Sequence, residues 1–453
     1  MMQDITNTLI CDIIGYSSNK YTEYEISCSY PLTNYKWTVK RRYNEFYALN
    51  KELTPFGLEL KFPPKKTFGN KKLSFIEERK EGLQAFLDKI TVHPLIYCSE
   101  PVMTFLKPPE LPTAADILPY SLMPLRTSKN LTLAGSVPKA SWRFCKLYAH
   151  VNADDNRKVY SWMMYGPDHQ EYSSIVPEIL TFLQKQQCPY ICKHSIAFPD
   201  QRGIGIVRNQ WINGSLRDQM YRKPAFGTFW EKYGMDNEAY VLNNVNIKTI
   251  ARQILEALVF LNCLTFPFVD IHCGNIIVTE AEAQLSDVEF TLCGQSSFNR
   301  PAMIRSEHVK SIEDMMVFNF GQFIYEMAAG TLVFPDHCTH EAIIKLKPQY
   351  HEILREIFCP NEKMPSLTEL RNHNFFENVA VAMNPKQNII IPGALKAYLD
   401  KLSTAITKRF EKEKSAYFEH QRNEYIEELL HSDGERSRRR DLVLAKLRMR
   451  VET

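Results

Sequence analysis

Two sets of residues in this chain have the types and spacing to handle phosphate. The first is cationic and lies in three segments: Arg41-Arg42-Tyr43-Asn44-Glu45-Phe46, Lys61-Phe62-Pro63-Pro64-Lys65-Lys66 and Ile76-Glu77-Glu78-Arg79-Lys80. A guanidinium fork grips a phosphate, an apolar ring face suits a sugar ring, and further cations take a second phosphate and the hydroxyls. A fold that gathers these segments would suit a phosphorylated inositol. The bland alternative is a solvated strand end beside a solubility patch. The second set is Asp270, Asn275 five residues later, and Asp287. Phosphoryl transfer needs a positioning base and metal ligands, and a carboxylate, an amide and a second carboxylate are of those types. The alternative role for them is to satisfy backbone groups of a loop.

The elements that must position these residues change character along the chain. Residues 1–110 begin with strand-like segments, Thr8–Ile14, Tyr21–Tyr30 and Lys36–Arg42, which alternate polar and apolar residues. Helical stretches follow at Glu45–Leu53 and Ile76–Ile90, the second with Ile76, Leu83, Phe86, Leu87 and Ile90 on one face. Residues 111–140 carry scattered prolines and read as a linker. Residues 141–384 run from short strands, near Phe144–Val151 and Lys158–Met164, to helices, of which Ile247–Leu261 is the clearest. That order predicts two packed lobes. Residues 385–453 are charged and helical in pattern, a tail ending in Arg436, Arg438, Arg439 and Arg440. It could serve as a partner helix or a second membrane contact, with a solvated charged helix as the default expectation. The expected fold class is α+β, in two domains and a tail.

Composition narrows the function. Among 453 residues, 55 Lys/Arg against 52 Asp/Glu leave a net charge of +3, so bulk affinity for a polyanion such as a nucleic acid is not expected. A hydrophobic fraction of 44% excludes a wholly disordered chain. No apolar run reaches the roughly 18 residues of a spanning helix, and the opening MMQDITNTLICDII lacks a basic leader, which predicts neither a transmembrane nor a secreted protein. Eleven scattered cysteines fit a reducing compartment. From Lys61 to Lys72 there are five lysines and no acid, worth at most about 5 kcal/mol at an anionic leaflet, too little to anchor the protein without a specific pocket.

On its three ordered cationic motifs, the segment 1–110 resembles a PX (phox-homology) phosphoinositide-binding domain: a small antiparallel sheet with helices. The resemblance implies that Arg42 grips the 3-phosphate, Tyr43 stacks under the inositol ring, Lys65 meets the membrane-side phosphate and Arg79 binds the 4- and 5-hydroxyls. It favours phosphatidylinositol 3-phosphate, with Phe68 inserted into the bilayer.

Residues 141–384 resemble a bilobal protein kinase domain. Trp211–Asp218 stands where the segment after the hinge does, Ile250–Leu255 where the helix before the catalytic loop does, and Phe268-Val269-Asp270-Ile271-His272-Cys273-Gly274-Asn275 in the loop itself. Asp287-Val288-Glu289 takes the place of Asp-Phe-Gly, and Phe320-Gly321 and Pro365–Leu370 match the later helices. By position, Asp270 would be the catalytic base, and Asn275 and Asp287 the metal ligands if a nucleotide binds. The rest of the apparatus is missing. No glycine lies between Gly135 and Gly166, and the strand Val159-Tyr160-Ser161-Trp162-Met163 has no lysine where Val-Ala-Ile-Lys is expected. Glu178 has nothing to pair with, and Met316 stands where a supporting aspartate would.

The whole order resembles the PX-domain-containing serine/threonine kinase-like proteins. That implies a cytoplasmic protein peripheral on endosomal or plasma membranes, binding phosphatidylinositol 3-phosphate and using a pseudokinase as a scaffold in membrane-protein trafficking. Family partners extend to sodium/potassium-pump subunits. No cofactor is required on this reading. The alternative is a divergent, weakly active serine/threonine kinase that uses ATP and Mg2+ in the cleft.

Overall fold

The alternation in the first segments folds as expected. In the computed structural model, β1 (Ile10–Ser18), β2 (Thr22–Tyr30) and β3 (Tyr35–Arg42) form an antiparallel meander. Tyr24, Ile26, Cys28 and Tyr30 of β2 turn one face inward. Against it lie the helices Tyr43–Glu52 and Leu73–Thr91, with Phe46 and Phe86 ring to ring at 6.4 Å. The predicted stripe Ile76, Leu83, Phe86, Leu87 and Ile90 is buried throughout. The structure describes residues 9–431 except 19, 31–34, 55–59, 66–72, 92–93, 98, 108–113, 136–138, 141–145, 154–155, 171–173, 212, 228, 235–238, 281, 298, 334–336 and 383–388. Phe68 and the Arg436–Arg440 cluster lie outside the described residues.

A second antiparallel sheet is built from β4 (Leu131–Leu133), β5 (Lys139–Ala140), β6 (Lys146–Ala153), β7 (Asn156–Met164), β8 (Ile196–Pro199) and β9 (Gly203–Asn209). The order is β4-β6-β7-β9-β8, with β5 also on β6. The segment read as a linker is therefore structured. Helices Ala114–Ser121 and Met123–Thr127 precede β4, and Tyr160 of β7 donates to the Ser121 carbonyl at 2.6 Å. Pro124 stands at the start of the second helix, where its missing N–H costs no bond, although Pro119 lies inside the first, so a proline count misread this stretch.

The second lobe is helical. Asn244–Cys263 buries the predicted stripe Ile247, Ile250, Ile254, Leu258 and Leu261, and Ile312–Ala329 is buried on every side from Met315 to Ala328. The hairpin β10 (Ile276–Val278) and β11 (Ala283–Leu285) sits between the lobes' cavity and the helices.

The tail departs from expectation. The helix Gly393–His431 buries Leu395, Tyr398, Leu399, Leu402, Ile406 and Phe410 against the kinase-like region. Tyr398 donates to the Leu292 carbonyl, Arg300 bonds Glu413 at 2.7 Å, and Arg409 forks onto Asp168. A high charge count hid a narrow apolar face, and part of the charge is buried in ion pairs. No helix among the described residues is long and apolar enough to cross a membrane.

Candidate functional site

The cationic set is assembled by one junction: β3 ends at Arg42, and the next residue opens a helix. Glu45 closes that helix start by accepting from the Arg42 backbone N–H at 2.8 Å. Arg42 projects from the sheet end half-exposed, with its Nε 2.9 Å from Glu23 Oε1 and its guanidinium 4.6 Å from the Tyr21 ring. Tyr43 turns inward, and its hydroxyl donates to the Pro63 carbonyl at 2.7 Å, tying the proline loop to the helix. Arg79 arrives from the Leu73–Thr91 helix and lies between Tyr43 and Phe75, 4.1 and 4.2 Å from their ring centres. It is 7% exposed, and its Nε has no hydrogen-bond acceptor among the described residues. Lys65 is exposed and stands 5.8 Å over Tyr47, whose ring stacks on that of Tyr43.

The structure thus brings Tyr43, Arg79 and Lys65 into one chain of contacts, with Arg42 beside Tyr43 in the backbone. Tyr43 is the member that departs from its expected place, because it is buried and one face is already covered by Arg79. Glu23 and Tyr47 were not singled out in sequence, since nothing local in either marks it as a neighbour of Arg42 or Lys65. Glu23 competes for the guanidinium a phosphate would need. Glu23→Gln is therefore expected to tighten binding to phosphoinositide vesicles by up to about fivefold, the worth of an exposed ion pair. Vesicle co-sedimentation of the two proteins checks this.

The second site is a cavity of ≈ 530 Å³ between the lobes, lined by Lys146, Asp270, His272 and Asp287 among others. Asp270 and Asn275 belong to one tight loop: Asn275 Nδ2 donates to the Asp270 carbonyl, and its Oδ1 accepts from the His272 N–H at 3.1 Å. Asp270 also faces His272 Nε2 at 3.7 Å. The loop's helical support is Asn319 rather than position 316, which is a buried methionine. Asn319 Nδ2 donates to the Val269 carbonyl at 2.8 Å.

Asp287 sits in the left-handed region at φ 59°, a conformation that an aspartate tolerates better than most residues. Its partners were not visible in sequence. Val159–Met163 of β7 has no lysine, and the one lysine of that strand, Lys158, bonds Ser195 instead; β6 supplies the cation, with Lys146 Nζ 2.5 Å from Asp287 Oδ2 and opposite Met163 in the sheet register. Arg208 at the end of β9 stands 3.8 Å from Asp287 Oδ1 and 2.5 Å from Glu289 Oε2. Glu289, placed where a glycine is expected, is therefore a buried counter-ion, while Glu178 is exposed. The signal for Lys146 was available in the alternation Lys146-Leu147-Tyr148-Ala149-His150, which sets three polar groups on one strand face. The sequence just before it, residues 141–145, has no glycine.

Burial pushes the Asp287 carboxyl up, but Lys146 and then Arg208 outweigh it and hold the group below its ordinary value. Glu326, buried against Arg217, is likewise held down. Groups depressed in this way stabilise the fold above the unfolded carboxylate range and lose that stabilisation as pH falls. The melting temperature is expected to be flat down to about pH 5 and to drop steeply below about pH 4, readable by circular dichroism.

These features define a PX domain followed by a kinase-like region that lacks a glycine loop. Comparison agrees: residues 30–109 match the PX domain family. The chain is 29% identical to the PX domain-containing protein kinase-like protein of Mus musculus, over 90% of this chain and 71% of that one. It is 31% identical to the Slowpoke-binding protein of Drosophila melanogaster, over 46% of this chain and 44% of that one. With the probable inactive serine/threonine-protein kinase slob1 of Dictyostelium discoideum it shares 28% identity, over 43% of this chain and 35% of that one.

Proposed function

We propose that this protein is a peripheral membrane adaptor whose PX domain holds phosphatidylinositol 3-phosphate and whose kinase-like region binds partner proteins. The observation that carries the lipid reading is the buried Arg79 guanidinium, packed on Tyr43 with an N–H that lacks an acceptor among the described residues. A buried unsatisfied donor is costly, and a headgroup oxygen would satisfy it. In this reading Arg42 takes the 3-phosphate, Lys65 the membrane-side phosphate, and Phe68 enters the bilayer. The scaffold role is supported by relatives named as probably inactive or as binding another protein. By the same resemblance the setting is endosomal or plasma membrane, with trafficking membrane proteins, including sodium/potassium-pump subunits, as partners.

The test is flotation of the full chain with vesicles containing phosphatidylinositol 3-phosphate, phosphatidylinositol 4,5-bisphosphate or unphosphorylated phosphatidylinositol. Binding is expected for the first alone. Equal binding to all three would leave only a charge effect and sink the proposal.

A further inference from the structure

Asp287 and Asn275, the two residues placed to hold a metal on nucleotide phosphates, do not fit that task here. Lys146 Nζ is 2.5 Å from Asp287 Oδ2, and Arg208 Nη1 is 3.8 Å from Oδ1. Asn275 is committed at both ends of its amide, to the Asp270 carbonyl and to the His272 N–H. Magnesium needs oxygen ligands at about 2.0–2.1 Å in a near-octahedral shell. An ammonium already stands at the carboxylate oxygen the ion would use, with a guanidinium on the other side. A third cationic centre would be repelled by both.

We infer that Lys146 takes the place of the metal: the cleft binds a nucleotide by its phosphates on this internal ammonium, without a divalent cation. This is independent of the lipid reading. An ammonium has three donors, so the bond to Asp287 leaves capacity for phosphate oxygen. Lys146, Tyr148 and His150 alternate along β6 and all line the cavity. Val159 of the sheet and Ile277 of the β10–β11 hairpin line it from opposite lobes, giving apolar surfaces suited to the two faces of a flat base. A volume of ≈ 530 Å³ lies within the range of ligand sites, roughly 300–1,000 Å³. The arrangement also accounts for the absence of a lysine from Val159–Met163 of β7: the charge that grips phosphate has moved one strand across the sheet, to Lys146 at the start of β6.

The experiment titrates the whole 453-residue chain with ATP in excess EDTA and in excess MgCl2, reading affinity by calorimetry. The expected result is binding in EDTA, no weaker than in magnesium. Lys146→Met is expected to weaken binding by about tenfold or more, as the loss of a charge-assisted bond implies. Because that change leaves Asp287 buried beside an apolar side chain, Lys146→Met/Asp287→Asn is measured with it, after thermal unfolding shows a cooperative fold, and should lose ATP equally. Binding that requires magnesium overturns the inference. So does undiminished ATP binding by the double variant, or no ATP binding by the unaltered protein in either buffer. The EDTA comparison needs no variant and so stands even where one fails to fold.

Discussion

Removal of the chain from Gly393 onward is expected to abolish cooperative folding of the kinase-like region. The helix that would be lost buries Leu395, Tyr398, Leu399, Leu402, Ile406 and Phe410. Full burial of such side chains contributes about 1.5–3 kcal/mol each, so the six together reach about 9–18 kcal/mol. That equals or exceeds the whole stability of a typical domain, about 5–15 kcal/mol. Electrostatics act in the same direction. Arg300 is 2% exposed and would lose Glu413, and Asp168, 4% exposed, would lose Arg409. Stripping one partner from a buried pair costs about 3–5 kcal/mol. A truncated protein that melts cooperatively at the original temperature would show that the helix is an accessory. The single change Glu413→Gln gives a graded version: the fold survives, with a lower melting temperature.

Loss of vesicle binding in Arg42→Ala is the second large effect. The guanidinium is half-exposed and, among the described residues, is held by Glu23 and the Tyr21 ring, so it is available to a phosphate at little cost to the fold. A hydrogen bond to a charged group contributes about 1.5–3 kcal/mol, which corresponds to a loss of about 10- to 100-fold. The lysines between 61 and 72 cannot replace it, because an ammonium is a point charge without the fork that fits a phosphate. The melting temperature should stay unchanged, and that separates a lost contact from a lost fold. Binding retained at full strength would count heavily against Arg42 as the phosphate ligand.

Arg42, Tyr43 and Arg79 were legible because each belongs to a short ordered motif at a strand or helix edge. What they do to one another was not. Arg79 covers a face of Tyr43, and Glu23 holds Arg42, because β2 and the helix Leu73–Thr91 converge there. In the second domain Asp270 and Asn275 were legible as one loop, whose five-residue spacing sets them together in a tight turn. The pairing of Lys146 with Asp287 was not, since the two lie 141 residues apart in sequence. Asn319 was missed for a similar reason: position 316 faces the core and only a three-dimensional helix phase sends 319 toward the loop.

By itself the sequence determined the two-part organisation, the strand and helix order and the cationic segments, because these follow from local periodicity and from residue type. Only the tertiary structure decided which charges meet. It drew Lys146 and Arg208 onto Asp287, made Glu289 a buried counter-ion, and turned a charged tail into a structural helix. The reason is that ion pairs in a low-dielectric interior are set by sheet register and helix packing, which join residues far apart in the chain. A count of missing motifs records what has left its usual strand, whereas strand pairing shows where the same charge returns.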